Sequence, residues 1–572
     1  MSAGPKAGEI DVDALAAHVG GELERFRVPG VEVVVVRDGE VIIAGGFGRR
    51  NVERDLPVTS RTVFAHGSTG KAFTAFLVGQ LVDEGLLDWD RPVREYLPDF
   101  RLADPVASDR VTVRDLLCHR SGLPRHDLAW MASPAVERAE LVRRMRHLEP
   151  SRDLRTLFQY CNLGYAAAGL LCGHVTSSTY EEQLRVRILE PLGMAGTYVS
   201  PGEVAALDDH ATPYAEREGS IVPITHRDTS NIAPAGGIMS CADDTARWLL
   251  CQLAGGEVDG RRLISSESLG ATHALQFPVA GIPLPRNEAV RVHGYAMGWV
   301  VATYRGRPHL SHGGGIDGFT TEFALLPAER IGVAVSGNRA TALPAALSRH
   351  VLDRLLGAEA HDWGAEALEE TERMEAALEE RSQQGRRVVA GTAPAHQLGD
   401  YAGRYEHPGY GTLEVGRGDG GLDVGLGVIR FEVAHRHYET FDLVWKDLGE
   451  LRMTANFVTD ESGSVSEVRC SFEPAVETVR FRRVADARLS DEGFLAGLAG
   501  RYALGPVTVE VVVEAGPRLV AFQNGNRVAL EPSGGLRYTV PMVPGLTLEF
   551  VLDDSGRATA IATPQGTLTR VD

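Results

Sequence analysis

Apolar positions recur with two different periods along the first part of the chain. From about Val12 to Phe26 they fall at helical spacing, whereas Val31 to Val36 is a continuous β-branched run. Asp38-Gly39 separates that run from Val41 to Gly46, so the pattern predicts a helix followed by a hairpin. Phe73, Phe76, Leu77, Leu81 and Val82 form a second helical stripe that stops at Gly85. The Leu- and Ala-rich run Leu163 to Cys172 predicts another helix, and strands are expected up to Leu310-Ser311 and from Thr320 to Leu326. From Ala358 to Arg387 the chain is rich in Glu and Ala, a solvated helix with Leu368, Met374 and Leu378 as contacts to a neighbour. Gly391 to Ala395 reads as a linker.

The remainder alternates with period two and contains an internal repeat. Ala402-Gly403-Arg404-Tyr405 recurs as Ala499-Gly500-Arg501-Tyr502, each followed by a strand, Thr412 to Val415 and Thr508 to Val511. The turn Asp460-Glu461-Ser462-Gly463 likewise recurs as Asp553-Asp554-Ser555-Gly556. Two copies are too few for a solenoid and predict duplicated sandwich or barrel domains, with Arg404 and Arg501 closing a barrel end.

Composition narrows the function classes. A chain of 572 residues suits two or three domains, and 44% hydrophobic residues with 64 glycines suit a globular protein rich in turns. A net charge of −19 argues against nucleic acid and anionic membrane surfaces as partners. No run approaches the roughly 18 apolar residues of a membrane span. Met1 to Lys6 carries no apolar signal region, so a cytoplasmic location is expected. The six cysteines lack metal or disulfide-framework spacing and read as small buried hydrophobes. His435 and His437 offer two imidazoles without a third ligand, so no metal is expected.

The chemistry lies in three short motifs. Ser68-Thr69-Gly70-Lys71 heads the second helical stripe, and i, i+3 spacing puts the Lys71 amine beside the Ser68 hydroxyl as a base beside a nucleophile. Burial of that face lowers the lysine pKa. Alone, the motif arises by chance in many chains of this length. Tyr160-Cys161-Asn162 directs two polar side chains to one side of an extended segment; the plain alternatives are a core aromatic and a helix cap. His312-Gly313-Gly314-Gly315 lies between the two late strands, where glycines allow close backbone approach and their N–H groups can form an oxyanion hole; the alternative is a flexible hairpin turn. His66 to Gly70 nearly spells a Gly-x-Ser-x-Gly elbow, but His66 replaces its first glycine and the chain does not open with strand–helix units.

In this order and at these separations the motifs resemble the serine β-lactamase and penicillin-binding-protein superfamily. The likeness is to its class C-like branch of esterases, D-aminopeptidases and acyl transferases, over about residues 10 to 355. His119 to Pro124 and Pro234-Ala235-Gly236-Gly237 look like two further loops of that family. The resemblance implies an α/β catalytic domain with an antiparallel sheet flanked by helices plus an all-helical region (1–357), then a helical linker (358–395). Two antiparallel, lipocalin-like barrel domains (396–487 and 488–572) would follow. It further implies that Ser68 is acylated, that Lys71 and Tyr160 move its proton, and that Asn162 holds Lys71 or the substrate amide. The backbone N–H groups of Ser68 and Gly315 would form the oxyanion hole, with Gly313 and Gly314 lining the substrate and no metal or organic cofactor. His312 stands where penicillin-recognising members carry lysine; a mostly neutral imidazole favours esters, amides or peptides without a nearby free carboxylate. Cys161 replaces a more usual serine. The expected activity is therefore hydrolysis of amide or ester bonds in small peptides or amino-acid derivatives. The alternative is a biosynthetic acyl transferase or peptide cyclase with an amine acceptor. The expected partner is the substrate; the appended domains either reach over the cleft with a loop (His407 to Gly411, or Gln523 to Asn526) to limit substrate size, or serve surface packing or homodimerisation.

Overall fold

The computed structural model describes residues 10–279, 287–384, 388–418, 420–447, 450–461, 463–541, 543, 545–553 and 555–572. Met1 to Lys6, Ser462 and Asp554, on which part of the sequence reading rests, lie outside them. The chain divides near residue 385 into two compact units. No helix among the described residues is long and apolar enough to cross a membrane.

The first unit opens with helix α1 (Val12–Phe26), capped by Asp11, whose carboxylate accepts the N–H groups of Asp13 and Ala14. Strands β1 (Gly30–Arg37) and β2 (Glu40–Asn51) follow, joined at Asp38 and Gly39, both with positive φ as this tight turn requires. The sheet is completed by late elements: β3 (Val290–Tyr295), β4 (Val300–Tyr304), β5 (Arg307–Ile316), β6 (Phe319–Leu326) and β7 (Ile331–Gly337). With edge pairs Phe277–Pro278 and Leu56–Pro57, the spatial order is edge, β3, β4, β5, β6, β7, β1, β2, edge, antiparallel throughout. Because β1 pairs with β7, Val31 facing Gly337, the N-terminal hairpin lies deep in the sheet. The valines of β1 are buried on both faces, which explains their unbroken run.

One sheet face is covered by α1 and a C-terminal helix (Leu343–Leu356), where Val19, Val33, Val333, Leu347 and Val351 share a core. Trp363 and Leu368 of the Glu-rich helix, Trp363–Gln384, join that core, whereas Met374 and Leu378 are exposed. On the other face lies helix Ala242–Leu253, whose Trp248 stacks on Phe73 at 3.7 Å. Phe73 belongs to α2 (Lys71–Asp83), buried from Lys71 to Leu81 without a polar face. A helix apolar all round is a central helix, and that position buries Lys71. The Leu- and Ala-rich run forms α3 (Asn162–Thr176), packed beside α2 in the helical region.

The second unit holds two β-structures. Eight antiparallel strands between Gly403 and Arg483 form a closed barrel. Its interior is filled by two aromatic clusters, Tyr401, Tyr405, Phe441 and Phe457 in one and Tyr410, Phe431, Phe472 and Phe481 in the other. The barrel is thus a packed core rather than an open calyx. Nine strands between Gly500 and Arg570 form a second, nearly closed barrel, interrupted between Asn526–Ala529 and Glu531–Gly534, which lie at opposite ends of the strand order. Arg404 and Arg501 do not close the barrels: Arg404 is a surface residue paired with Glu406, and Arg501 is exposed. That work falls to Arg483 and Arg570 on the last strands, which donate to the carbonyls of Ala402 and Ala499 and lie over the rings of Tyr405 and Tyr502.

Candidate active site

Ser68 sits in a single 3-10 turn, Gly67–Gly70, that runs into α2. It is the partly accessible residue in a turn whose other members are buried. Gly67 has φ +54° and no room for a side chain, since a Cβ would lie 2.8 Å from the Gly315 nitrogen. His66 anchors the turn from below, accepting the Thr69 hydroxyl at its carbonyl and donating its own N–H to Ile238. Its ring pairs with Glu32 at 2.9 Å in the sheet.

The Lys71 Nζ is 3.1 Å from Ser68 Oγ, 2.8 Å from Asn162 Oδ1 and 2.7 Å from the Ala235 carbonyl oxygen. The orientation of the Asn162 amide is fixed, because its Nδ2 donates to Asp127 Oδ1 at 2.9 Å. Asp127 also accepts from Trp130 Nε1 and Arg125 Nε. Burial, reinforced by the positive charge of Arg125, holds the Lys71 amine well below its ordinary pKa of 10.5. A neutral amine has two N–H bonds and one lone pair. The two carbonyl oxygens can only accept, so they take the N–H bonds and the lone pair faces the Ser68 hydroxyl.

Tyr160 closes the other side. Burial pushes its phenol well above the usual range, so it stays protonated. Lys71 Nζ lies 4.7 Å from the Tyr160 ring centroid and the Arg125 guanidinium carbon 4.9 Å from it. His119 packs on Tyr160 at 4.3 Å and accepts the Cys161 N–H at Nδ1, 3.0 Å away. Cys161, not Asn162, is the N-cap of α3; burial raises its thiol to about 12, which makes it inert.

His312-Gly313-Gly314-Gly315 is not a loop between strands. The segment lies within β5, in register with β6 from His312 opposite Phe323 to Gly315 opposite Thr320, and the hairpin turn falls later, at Asp317-Gly318. The glycines let this strand lie against the Ser68 turn: a Cβ on Gly314 would come within 1.9 Å of the His66 carbonyl oxygen and 3.3 Å of the Ser68 nitrogen. Gly313 faces the other way, where a Cβ would meet Glu322. The His312 Nδ1 donates to the Gly313 carbonyl at 2.7 Å, which leaves Nε2 to accept the Tyr295 hydroxyl at 2.9 Å. Burial, with Lys71 nearby, lowers its pKa to about 3, so the ring is neutral.

Gly314→Ala is expected to destabilise the fold by about 2–4 kcal/mol, because the added carbon has only backbone to displace. At Gly315 it would meet nothing within 4 Å, and Gly315→Ala should change stability by less than about 1 kcal/mol. Thermal unfolding of both variants checks the contrast.

The structure thus brings Ser68, Lys71 and Asn162 into one hydrogen-bonded group with the Tyr160 ring beside Lys71, His312 in the adjoining wall, and Gly314 and Gly315 against the nucleophile turn. Sequence reasoning missed Asp127, Arg125, Tyr295 and the Ala235 carbonyl. The segments carrying His119 and Ala235 had a motif-like look; Tyr295 and Asp127 had no local signal. Among the described residues no cluster of three or more His, Cys, Asp or Glu is placed to hold a metal ion.

The comparisons with known proteins follow this geometry. A model of the beta-lactamase family matches residues 15–358, and the domain of unknown function DUF3471 matches residues 387–483. An unguisins hydrolase of Aspergillus campestris is 30% identical over 413 residues, 69% of this chain and 75% of its own. The octameric penicillin-binding protein homologue from Pyrococcus abyssi aligns with 83% of this chain and all of its own, at 25% identity and TM-score 0.56. The D-amino acid amidase from Ochrobactrum anthropi SV3 shares the fold over 60% of this chain and 97% of its own, at 24% identity and TM-score 0.50.

Proposed function

The chain belongs to the beta-lactamase family and is a hydrolase of that fold, and from this we propose that it cleaves amide or ester bonds of small peptides or amino-acid derivatives through an acyl-enzyme on Ser68. The observation that carries the reading is the partnership of Lys71: two carbonyl acceptors leave the neutral amine one lone pair, and Ser68 Oγ is 3.1 Å from it. Ser68 attacks the substrate carbonyl as its proton passes to Lys71. Negative charge develops on the carbonyl oxygen, and the N–H groups of Ser68 and Gly315 receive it. Tyr160, still a phenol, gives its proton to the departing amine or alcohol and regains one from the Lys71 ammonium. Water then repeats the cycle on the ester of Ser68, with Lys71 and Tyr160 returning its proton to the serine oxygen. The naming of the similar fungal protein as a hydrolase supports water as the acceptor.

Intact-protein mass spectrometry tests this. The wild-type protein and Ser68→Ala are exposed to D- and L-aminoacyl esters and amides, with and without an added amine. A mass increase equal to the acyl group is expected on the wild type alone, decaying to free acid. Capture of the acyl group by the amine would instead identify an acyl transferase. An adduct that persists in Ser68→Ala would remove Ser68 from the mechanism.

A further inference from the structure

We propose that Arg125 is a specificity-determining residue that binds a carboxylate of the substrate beside Ser68; this rests on the reading of Ser68 above. The Arg125 side chain is 54% exposed, yet held on two sides. Its Nε donates to Asp127 Oδ2 at 2.6 Å, and its guanidinium carbon lies 4.9 Å from the centroid of Tyr160, the same ring that lies 4.7 Å from the Lys71 Nζ beside Ser68. Among the described residues its hydrogen bonding ends there, so the two terminal nitrogens are unengaged. Those nitrogens form the planar fork that accepts a carboxylate through two parallel N–H···O bonds. A fork already fixed by stacking and by Asp127 loses little freedom on binding. Asp127 pairs with the inner Nε, and its oxygens are otherwise taken up by Asn162 and Trp130, so it leaves the outer fork of the guanidinium open to a second carboxylate.

The arrangement also resolves what the neutral His312 leaves open. Lysine at that position would offer a fixed cation from the β5 wall. Here His312 is neutral and the Lys71 amine is held well below its ordinary pKa, whereas Arg125 presents its charge from the Tyr160 side at every working pH. The substrate class is therefore peptides or amino-acid derivatives that carry a free carboxylate near the scissile bond, contrary to the expectation from His312 alone.

The test is binding, so that it does not depend on turnover. The probes are N-acetyl amino acids of both chiralities and their primary amides, titrated into Ser68→Ala and followed by ligand-observed NMR. We expect acids to bind at least about tenfold tighter than their amides, a preference that weakens from about 50 to about 500 mM salt. In Ser68→Ala/Arg125→Gln the preference should fall to within about twofold, and Arg125→Lys should restore it in part, through charge without the fork. Acids that bind no better than amides anywhere in the panel overturn the proposal, as does a preference that survives Arg125→Gln. A failed acyl adduct on Ser68 would count against the nucleophile and would leave this charge-dependent binding readable on its own.

Discussion

Lys71→Met is expected to lower kcat/KM by about three to four orders of magnitude, and acylation by activated esters should fall with it. General-base assistance is worth roughly 10²- to 10⁴-fold, and here the amine also guides the serine hydroxyl, so the upper part of that range applies. Methionine keeps the length and fills the buried site without a basic nitrogen. Lys71→Arg keeps the charge but cannot act as a base at any working pH, and it forces a permanent cation into a fully buried position. Both variants should be inactive, the arginine one also destabilised. The pH profile adds a second readout. The active form is the neutral amine, so wild-type acylation must rise with pH through a Lys71 pKa well below 10.5. The residual rate of Lys71→Met should lack that limb. Flat wild-type acylation from pH 6 to 9, measured with chemistry rate-limiting, would sink the assignment. Linkage gives the matching sign for stability. Between the native pKa and 10.5 the unfolded chain holds a proton on Lys71 that the native chain does not, so stability rises with pH across that window.

These roles were legible where chain spacing alone places two groups together. Ser68 and Lys71 are one helical turn apart, and Tyr160 and Asn162 flank one residue, so local geometry suffices for each pair. The helix Val12–Phe26 matched its apolar period end for end, and the early hairpin was announced by Asp38-Gly39. The glycine motif was read as a connection because three glycines carry no side-chain periodicity. What makes it a strand is pairing with Thr320 to Phe323, a tertiary fact. The same limit hid Asp127 and Tyr295. Asp127 matters because the Asn162 amide and the Trp130 indole meet at its carboxylate, and Tyr295 because β3 lies two strands from β5 and sends its hydroxyl across to His312. In the repeats, the conserved-looking Arg404 and Arg501 drew attention, whereas the closing arginines stand at the far end of each unit. Position in a repeat shows which residues are alike, not which are buried.

Acid should destabilise the first unit, the two histidines of β5 alone lowering its stability by about 3–4 kcal/mol between pH 6.5 and pH 5. Two histidines of β5 drive this, His309 on the sheet face towards the C-terminal helix and His312 on the Ser68 face. They are 7% and 5% exposed. Burial lowers them to about 4 and about 3 from 6.5, with Arg349 adding to the shift at His309 and Lys71 at His312. The native pKa values are depressed, so below pH 6.5 the unfolded chain takes up protons that the native chain refuses. Each such group removes about 1.4 kcal/mol per pH unit until its native pKa is reached. His226 and His273, both lowered to about 4 chiefly by burial, act in the same direction. Urea midpoints from pH 7.5 to 5, followed by tryptophan fluorescence, measure the slope; Trp89, Trp130, Trp248, Trp299 and Trp363 all report on the first unit. His309 separates this cause from general acid effects, because among the described residues neither ring nitrogen has a hydrogen-bond partner. His309→Leu removes an unsatisfied buried donor and should raise stability at pH 7 by roughly 1–2 kcal/mol. It should also reduce the slope by about one proton. A slope unchanged by His309→Leu, or a stability level from pH 6.5 to 5, would show that these rings reach solvent and titrate freely in the native state.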